Sequence, residues 1–123
     1  MTVLGRLKNF DGIWLNINNK TRGVTRLKIS VNGTQVSICA WGACHPTDCN
    51  WGWIEATPLV TTVCDDLRDT DSLIAVWKPG FAINTVVLFH NNDTLTAQVI
   101  TIFRDNSGRS DMLNNYALRR PRP

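Results

Sequence analysis

A single all-β domain, built as an eight-stranded antiparallel up-and-down barrel (a meander) with little or no helix, is what this 123-residue sequence predicts. Three observations carry the prediction. Apolar and polar residues alternate with a period of two in successive short segments; Asn, Gly, Pro and Asp gather between those segments; and no long stretch has the 3.6-residue period of an amphipathic helix. At 43% hydrophobic residues the chain supports one core, so 1–123 reads as one domain, with 1–10 as a lead-in and 119–123 as a basic, frayed tail.

Ile13, Leu15 and Ile17 alternate with Trp14, Asn16 and Asn18 in a first strand, and residues 18–23 turn the chain. Thr25, Leu27, Ile29 and Val31 alternate with Arg26, Lys28 and Ser30 in a second. Asn32 and Gly33 follow, a pair that favours the positive φ values of a type I′ hairpin turn. Val36, Ile38 and Ala40 mark the third strand. Residues 52–57 and 59–64 read as extended and are interrupted at Pro58, which has no N–H to give to a ladder. A polar connector over 65–72, with room for one helical turn, leads to a strand at 73–78 that stops at Pro79-Gly80. Residues 81–90 and 94–104 flank Asn91-Asn92-Asp93 as a long hairpin, which places His90 at its tip, and 105–110 turn the chain into a last strand at 111–119. The gaps are short enough for antiparallel neighbours, and closing the meander on itself leaves no exposed edge. The cleanest apolar sets (Ile13/Leu15/Ile17, Leu27/Ile29/Val31, Val36/Ile38/Ala40) are bulky enough to fill such a lumen, which puts Trp14, Asn16, Arg26, Lys28, Gln35 and Trp41 on the outside.

Chemistry concentrates between Trp41 and Trp53, where Trp41, Cys44, His45, Pro46, Asp48, Cys49, Trp51 and Trp53 fall within thirteen residues. Cys44 and Cys49, five apart across a Pro-containing turn, suit a disulfide that stiffens a Trp-rich loop; free thiols in a reducing compartment and a metal set are the alternatives. A bridged pair implies a secreted or periplasmic protein and a reduced pair a cytoplasmic one; residues 1–10 lack the apolar centre of a secretory signal. Indole faces beside amides and carboxylates suit sugar rings and small, partly apolar molecules, so the expected ligand-binding residues are Trp14, Trp41, His45, Asp48, Trp51 and Trp53. A subunit interface rich in Trp and Arg is the competing reading, which makes the chain an oligomer-forming domain.

The triplet Gly12-Ile13-Trp14 at the entry to the first strand, together with the meander, resembles the start of calycin barrels, that is, lipocalins and avidin-type proteins. That resemblance implies a ligand-binding barrel and assigns no site residue. The loop pattern Trp-Gly-x-Cys-x-Pro-x-Asp-Cys-x-Trp-Gly is similar to one in small bacterial domains, a likeness that implies no activity.

Other classes have less support. His45 with Asp48, His90 with distant Ser or Asp residues, and Cys44 lack the motif that surrounds a catalytic nucleophile, so an enzyme ranks third and no catalytic residue is assigned. Asp65, Asp66, Asp69 and Asp71, and likewise Asp105, Asn106, Ser107 and Asp111, do not match a calcium loop and read as solvated turns; no metal or cofactor is expected. The net charge of +3 gathers in the tail rather than in a basic face, which gives no nucleic-acid signature, and no apolar run is long enough for a membrane-spanning helix. Asn-x-Thr patterns begin at Asn19, Asn32 and Asn92, where hairpin chemistry selects Asn and Thr anyway.

Overall fold

The structure, a computed structural model, describes residues 6–91 and 93–122. Eight antiparallel strands close into a barrel in chain order: β1 (Gly12–Asn16), β2 (Val24–Asn32), β3 (Gln35–Gly42), β4 (Cys49–Leu59), β5 (Ser72–Trp77), β6 (Ala82–Asn91), β7 (Thr94–Phe103) and β8 (Met112–Arg119). The helical content of the described residues is two 3-10 segments, Arg6–Phe10 and Leu67–Asp69. The expected hairpin joins β2 to β3 but turns one residue later than a type I′ turn centred on Asn32 and Gly33 requires: Asn32 is a strand residue opposite Gln35, the loop is Gly33 and Thr34, and of these Gly33 alone has positive φ, 65°. Pro58 does not split a strand. β4 runs through it to Leu59, pairs Pro58 with Leu73 and ends there, so residues 60–64 are turn and not the second extended segment that the sequence suggested.

The inward rows of β2 and β3 are the expected ones: Leu27, Ile29, Val36, Ile38 and Ala40 are buried, and Val31 packs against them. In β1 the expected faces are exchanged. Trp14 is fully buried, whereas Ile13 and Ile17 are exposed. Register explains the exchange. Trp14 lies opposite the inward Leu27, and Ile13 and Leu15 lie opposite Lys28 and Arg26, which must stay in water. Both parities of β1 are apolar, so alternation within that strand alone carries no facing information.

Trp14 belongs to a plug. Residues 6–10, within the lead-in, form the 3-10 segment whose Leu7 and Phe10 are buried under one end of the barrel. The Trp14 indole N–H donates to the Phe10 carbonyl at 2.8 Å. Arg120 spans the outside of the plug. Its guanidinium lies 4.3 Å from the centre of the Trp14 ring and donates to the carbonyls of Asp11 (2.8 Å) and Asn9 (2.6 Å). Gly12 is required where Arg120 passes. Its φ of 124° suits glycine alone, and a Cβ there would meet Arg120 Nη1 at 2.6 Å. Arg119 and Arg120, assigned from the sequence to a frayed tail, therefore hold structure: Arg119 closes β8 against Leu15, and Arg120 clamps the plug. His90 is not a hairpin tip either. It lies on β6 with its ring edge-on to Phe10 (5.5 Å) and Trp14 (5.7 Å).

Burial pushes the His90 imidazole below its ordinary value, the Arg120 charge adds to that shift, and Asp93 and Asp71 oppose it. A histidine whose folded pKa is depressed leaves the unfolded chain the better proton acceptor, so its contribution to stability is complete above the unfolded value near 6.5 and is lost as pH falls through the folded value. Urea midpoints are expected to fall between about pH 6.5 and pH 5, and His90→Gln to flatten that slope. Removing Arg120 as Arg120→Met should cost about 1–2 kcal/mol, and Trp14→Ala about 3–5 kcal/mol, in equilibrium denaturation.

Candidate functional site: the open mouth of the barrel

The plug seals the end that carries the Asn32-Gly33 turn, the β4–β5 connector and the β6–β7 hairpin. The four connections at the other end, residues 17–23, 43–48, 78–81 and 104–111, surround a mouth. Below it lies a half-enclosed cleft of about 600 Å³, lined in part by Trp51, Trp77, Tyr116, Asn84, Thr101 and Asn114. A volume of this size is that of a small-molecule site.

The mouth is built by interruptions of regular β structure. Ala40 pairs with Gly52 and Trp41 with Asn50, so Trp51 is an extra residue bulged out of the β3–β4 ladder, and Gly52 beside it has φ 90°. The bulge breaks alternation and turns Trp51 toward the lumen, where it meets Trp77 edge-to-face at 5.6 Å. Trp77, fixed by its indole N–H donating to the Gly52 carbonyl at 3.0 Å, continues the aromatic wall. Two glycines make room for the rings: a Cβ on Gly42 would lie 2.9 Å from Trp51 Nε1, and one on Gly23 would run into the Tyr116 hydroxyl.

Polar groups end the inward rows of three adjacent strands. β6 presents Val86 and then Asn84, β7 presents Val99 and then Thr101, and β8 presents Leu118, Tyr116 and then Asn114. Thr101 Oγ1 donates to Asn84 Oδ1 at 2.8 Å, both side chains being buried. That bond occupies the Asn84 acceptor, and no bond to a described residue engages its Nδ2 hydrogens, which remain as donors in the lining of the cleft. Desolvation raises the Tyr116 phenol above its ordinary value, which keeps it neutral and able to donate near neutral pH.

The residues chosen from the sequence do not form one site. Trp51 lies in the mouth. Cys44 and Cys49 form a disulfide, Cα to Cα 5.5 Å, on its rim. His45 and Asp48 stand exposed in the connection that the disulfide closes, and Asp48 accepts from Thr25 Oγ1 at 2.7 Å, which ties the connection to β2. Trp41 and Trp53 sit on the outer wall, Trp41 beneath the Arg26 guanidinium at 4.0 Å and Trp53 half exposed at 51%. Trp14 is at the opposite end. The tryptophans are thus on strands, and the connection itself is only residues 43–48. Sequence reasoning missed Trp77, Tyr116, Asn84, Thr101 and Asn114. The signal was present in the parity of β6 and β7, where Ala82, Asn84, Val86, Leu88 and Leu95, Ala97, Val99, Thr101 share a face and one polar residue sits near the mouth end of each row.

Cys39 is buried and Cys64 exposed, both as free thiols, and Cys39 donates to Asn50 Oδ1 at 3.2 Å. Carboxylates of the two acidic turns are engaged by arginines: Asp66 by the nearby Arg68, which holds its pKa down at about 2, Asp105 by the nearby Arg109, and Asp69 by Arg6 of the N-terminal segment. Among the described residues no group of three or more His, Cys, Asp or Glu is placed to hold a metal ion, and no helix is long and apolar enough to cross a membrane. The Asn92 pattern lies outside the described residues.

No family model, curated protein or solved structure matches this chain. The closed eight-stranded antiparallel barrel is compatible with a calycin-like barrel on its architecture alone.

Replacing both bridged cysteines by alanine frees a six-residue loop, and its closure entropy predicts a loss of about 2 kcal/mol in denaturant unfolding. Gly42→Ala is expected to displace the Trp51 ring and alter the Trp51–Trp77 exciton band in near-ultraviolet circular dichroism while the far-ultraviolet β signature stays.

Proposed function

We propose that this chain is a non-catalytic binding module that takes a glycan unit or another small, partly apolar molecule into the open mouth of its barrel. The observation that carries the reading is the composition of the cleft: the aromatic rings of Trp51, Trp77 and Tyr116 share its lining with amide and hydroxyl groups from Asn84, Thr101 and Asn114. Apolar walls supply most of the affinity of such sites, and a few fixed polar groups set orientation. A ligand with a ring or short hydrocarbon body and a carbonyl, ureido or hydroxyl oxygen matches that composition, because the Asn84 Nδ2 hydrogens await an acceptor. The disulfide-closed connection forms one lip of the mouth and limits the conformational entropy that binding has to remove.

This reading moves the ligand from the rim tryptophans expected from sequence to the lumen. Trp41 already stacks with Arg26, and Trp53 stands alone on a convex wall, which gives a ligand little surface to bury.

Tryptophan fluorescence titrated with sugars, cyclic ureas and short fatty acids, alongside native mass spectrometry, tests the proposal. A ligand is expected to shift emission in the wild type and in Trp53→Phe, and to lose most of that shift in Trp51→Phe/Trp77→Phe. Asn84→Ala should weaken binding by about 5- to 150-fold, the loss of a buried hydrogen bond of about 1–3 kcal/mol. Silence across the panel together with no retained mass, or a signal carried by Trp53 instead, overturns it.

A further inference from the structure

We infer that the Cys44–Cys49 disulfide is a redox switch on the register of the β3–β4 hairpin, and that its reduction by a dithiol turns Trp51 out of the mouth. The consequence for ligand binding rests on the function proposed above; the change of register does not. Bridge and bulge are geometrically coupled. Along β3, Ile38, Ala40 and Gly42 take inward places and Cys39 and Trp41 outward ones, and Cys44 falls on the inward parity. The extra residue at Trp51 sets Cys49 opposite Gly42, on the same side, and both cysteines line the cleft. With the bulge removed, Trp41 would lie opposite Trp51, Gly42 opposite Asn50 and Ala43 opposite Cys49. Cys49 would then point outward and Cys44 inward, and two such Cβ vectors cannot be bridged. Oxidation therefore admits only the register that faces Trp51 into the barrel.

The ties that hold this register without the bridge are few. Beyond the bulge the ladder has two pairs, Trp41 with Asn50 and Gly42 with Cys49. Asn50 Oδ1 accepts from the Gly52 N–H at 2.7 Å and from the Cys39 thiol at 3.2 Å, and Asp48 accepts from Thr25 Oγ1 at 2.7 Å. The β3 side stays in place, because the Ala43 N–H donates to the Gly23 carbonyl at 2.9 Å, so the start of β4 is the part free to slip by one residue. In exchange for the lost bonds the slipped ladder is regular, and it sets Trp51 across from Trp41 on the outer wall, on the same face as Trp53, as a cross-strand aromatic pair. The thiol chemistry is accessible. Cys49 is exposed and Cys44 half-buried, so a thiolate of the reductant attacks Cys49 Sγ, forms a mixed disulfide and releases the Cys44 thiolate. The second thiol of the reductant then displaces Cys49 and leaves as a cyclic disulfide; two electrons pass to the protein, and the two protons of the dithiol end on Cys44 and Cys49.

Nuclear magnetic resonance of the isotope-labelled chain, oxidised and then treated with dithiothreitol, tests this with no ligand present. Reduction is expected to raise the thiol count of the denatured protein by two and to move the Overhauser contacts of the Trp51 ring from Trp77 to Trp41, while far-ultraviolet circular dichroism keeps its β signature. Reoxidation should restore the Trp77 contacts. Cys44→Ser/Cys49→Ser is expected to show the Trp41 contacts with or without reductant. A reduced protein or a double serine variant that keeps Trp51 against Trp77, or a reduced protein that loses the β signature, overturns the inference. A ligand panel that stays silent leaves these contacts unchanged, so the switch and the binding reading fail separately.

Discussion

The contact on which the barrel most depends is the clamp of Arg120 across the N-terminal plug. The seam between β1 and β8 is the thinnest in the structure: Leu15 lies opposite Arg119 and Asn16 opposite Leu118, and the ladder extends only through Ile17 N–H to the Ala117 carbonyl. Two-residue pairing does not hold a cylinder shut. Arg120 completes it with charge-assisted bonds to two backbone carbonyls of the incoming chain and a cation over the ring of Trp14, joining the last strand to the segment that precedes the first. Gly12 exists in this scheme as the space that Arg120 occupies, which gives Gly12-Ile13-Trp14 a physical meaning: one residue yields to the arginine and the other receives it.

Sealing one end determines what the other can be. Leu7, Phe10 and Trp14 fill the plugged half together with inward leucines such as Leu88, Leu95 and Leu118, all of them shut off from solvent. Toward the mouth the inward residues become aromatic and then polar, and the wall is opened by a bulge at Trp51. The cleft opens at the mouth, and the change from apolar packing to aromatic and polar lining is set by strand parity and by the bulge at Trp51.

Much of the architecture was legible in the sequence because it rests on local chemistry. Asn32-Gly33 can hardly be anything but a tight hairpin, and alternation in β2 and β3 put Leu27, Ile29, Val36 and Ile38 where they lie. What was not legible depends on partners distant in the chain. The facing of β1 is decided by its register with β2, since Trp14 and Ile13 are equally apolar. The plug needs Arg120, more than a hundred residues from Asn9. The tryptophan cluster misled for a geometric reason: along a strand, neighbours in sequence point to opposite sides, and a bulge resets the count. Trp51 and Trp53, two apart, should share a face; the extra residue and the positive φ of Gly52 send Trp51 inward and leave Trp53 outside.

Two apolar surfaces remain after the core is accounted for, and curvature separates their uses. The mouth is concave, so a molecule of ten to twenty heavy atoms can be surrounded there and lose most of its hydration. The wall of β5–β8 is convex on the scale of such a molecule and would touch it on one side only, which recovers too little area to offset the entropy of capture. The apolar side chains on that wall act within the barrel, as cross-strand pairs that hold neighbouring strands together: Ile74 with Val87, Ile83 with Ile102 and Ile100 with Leu113.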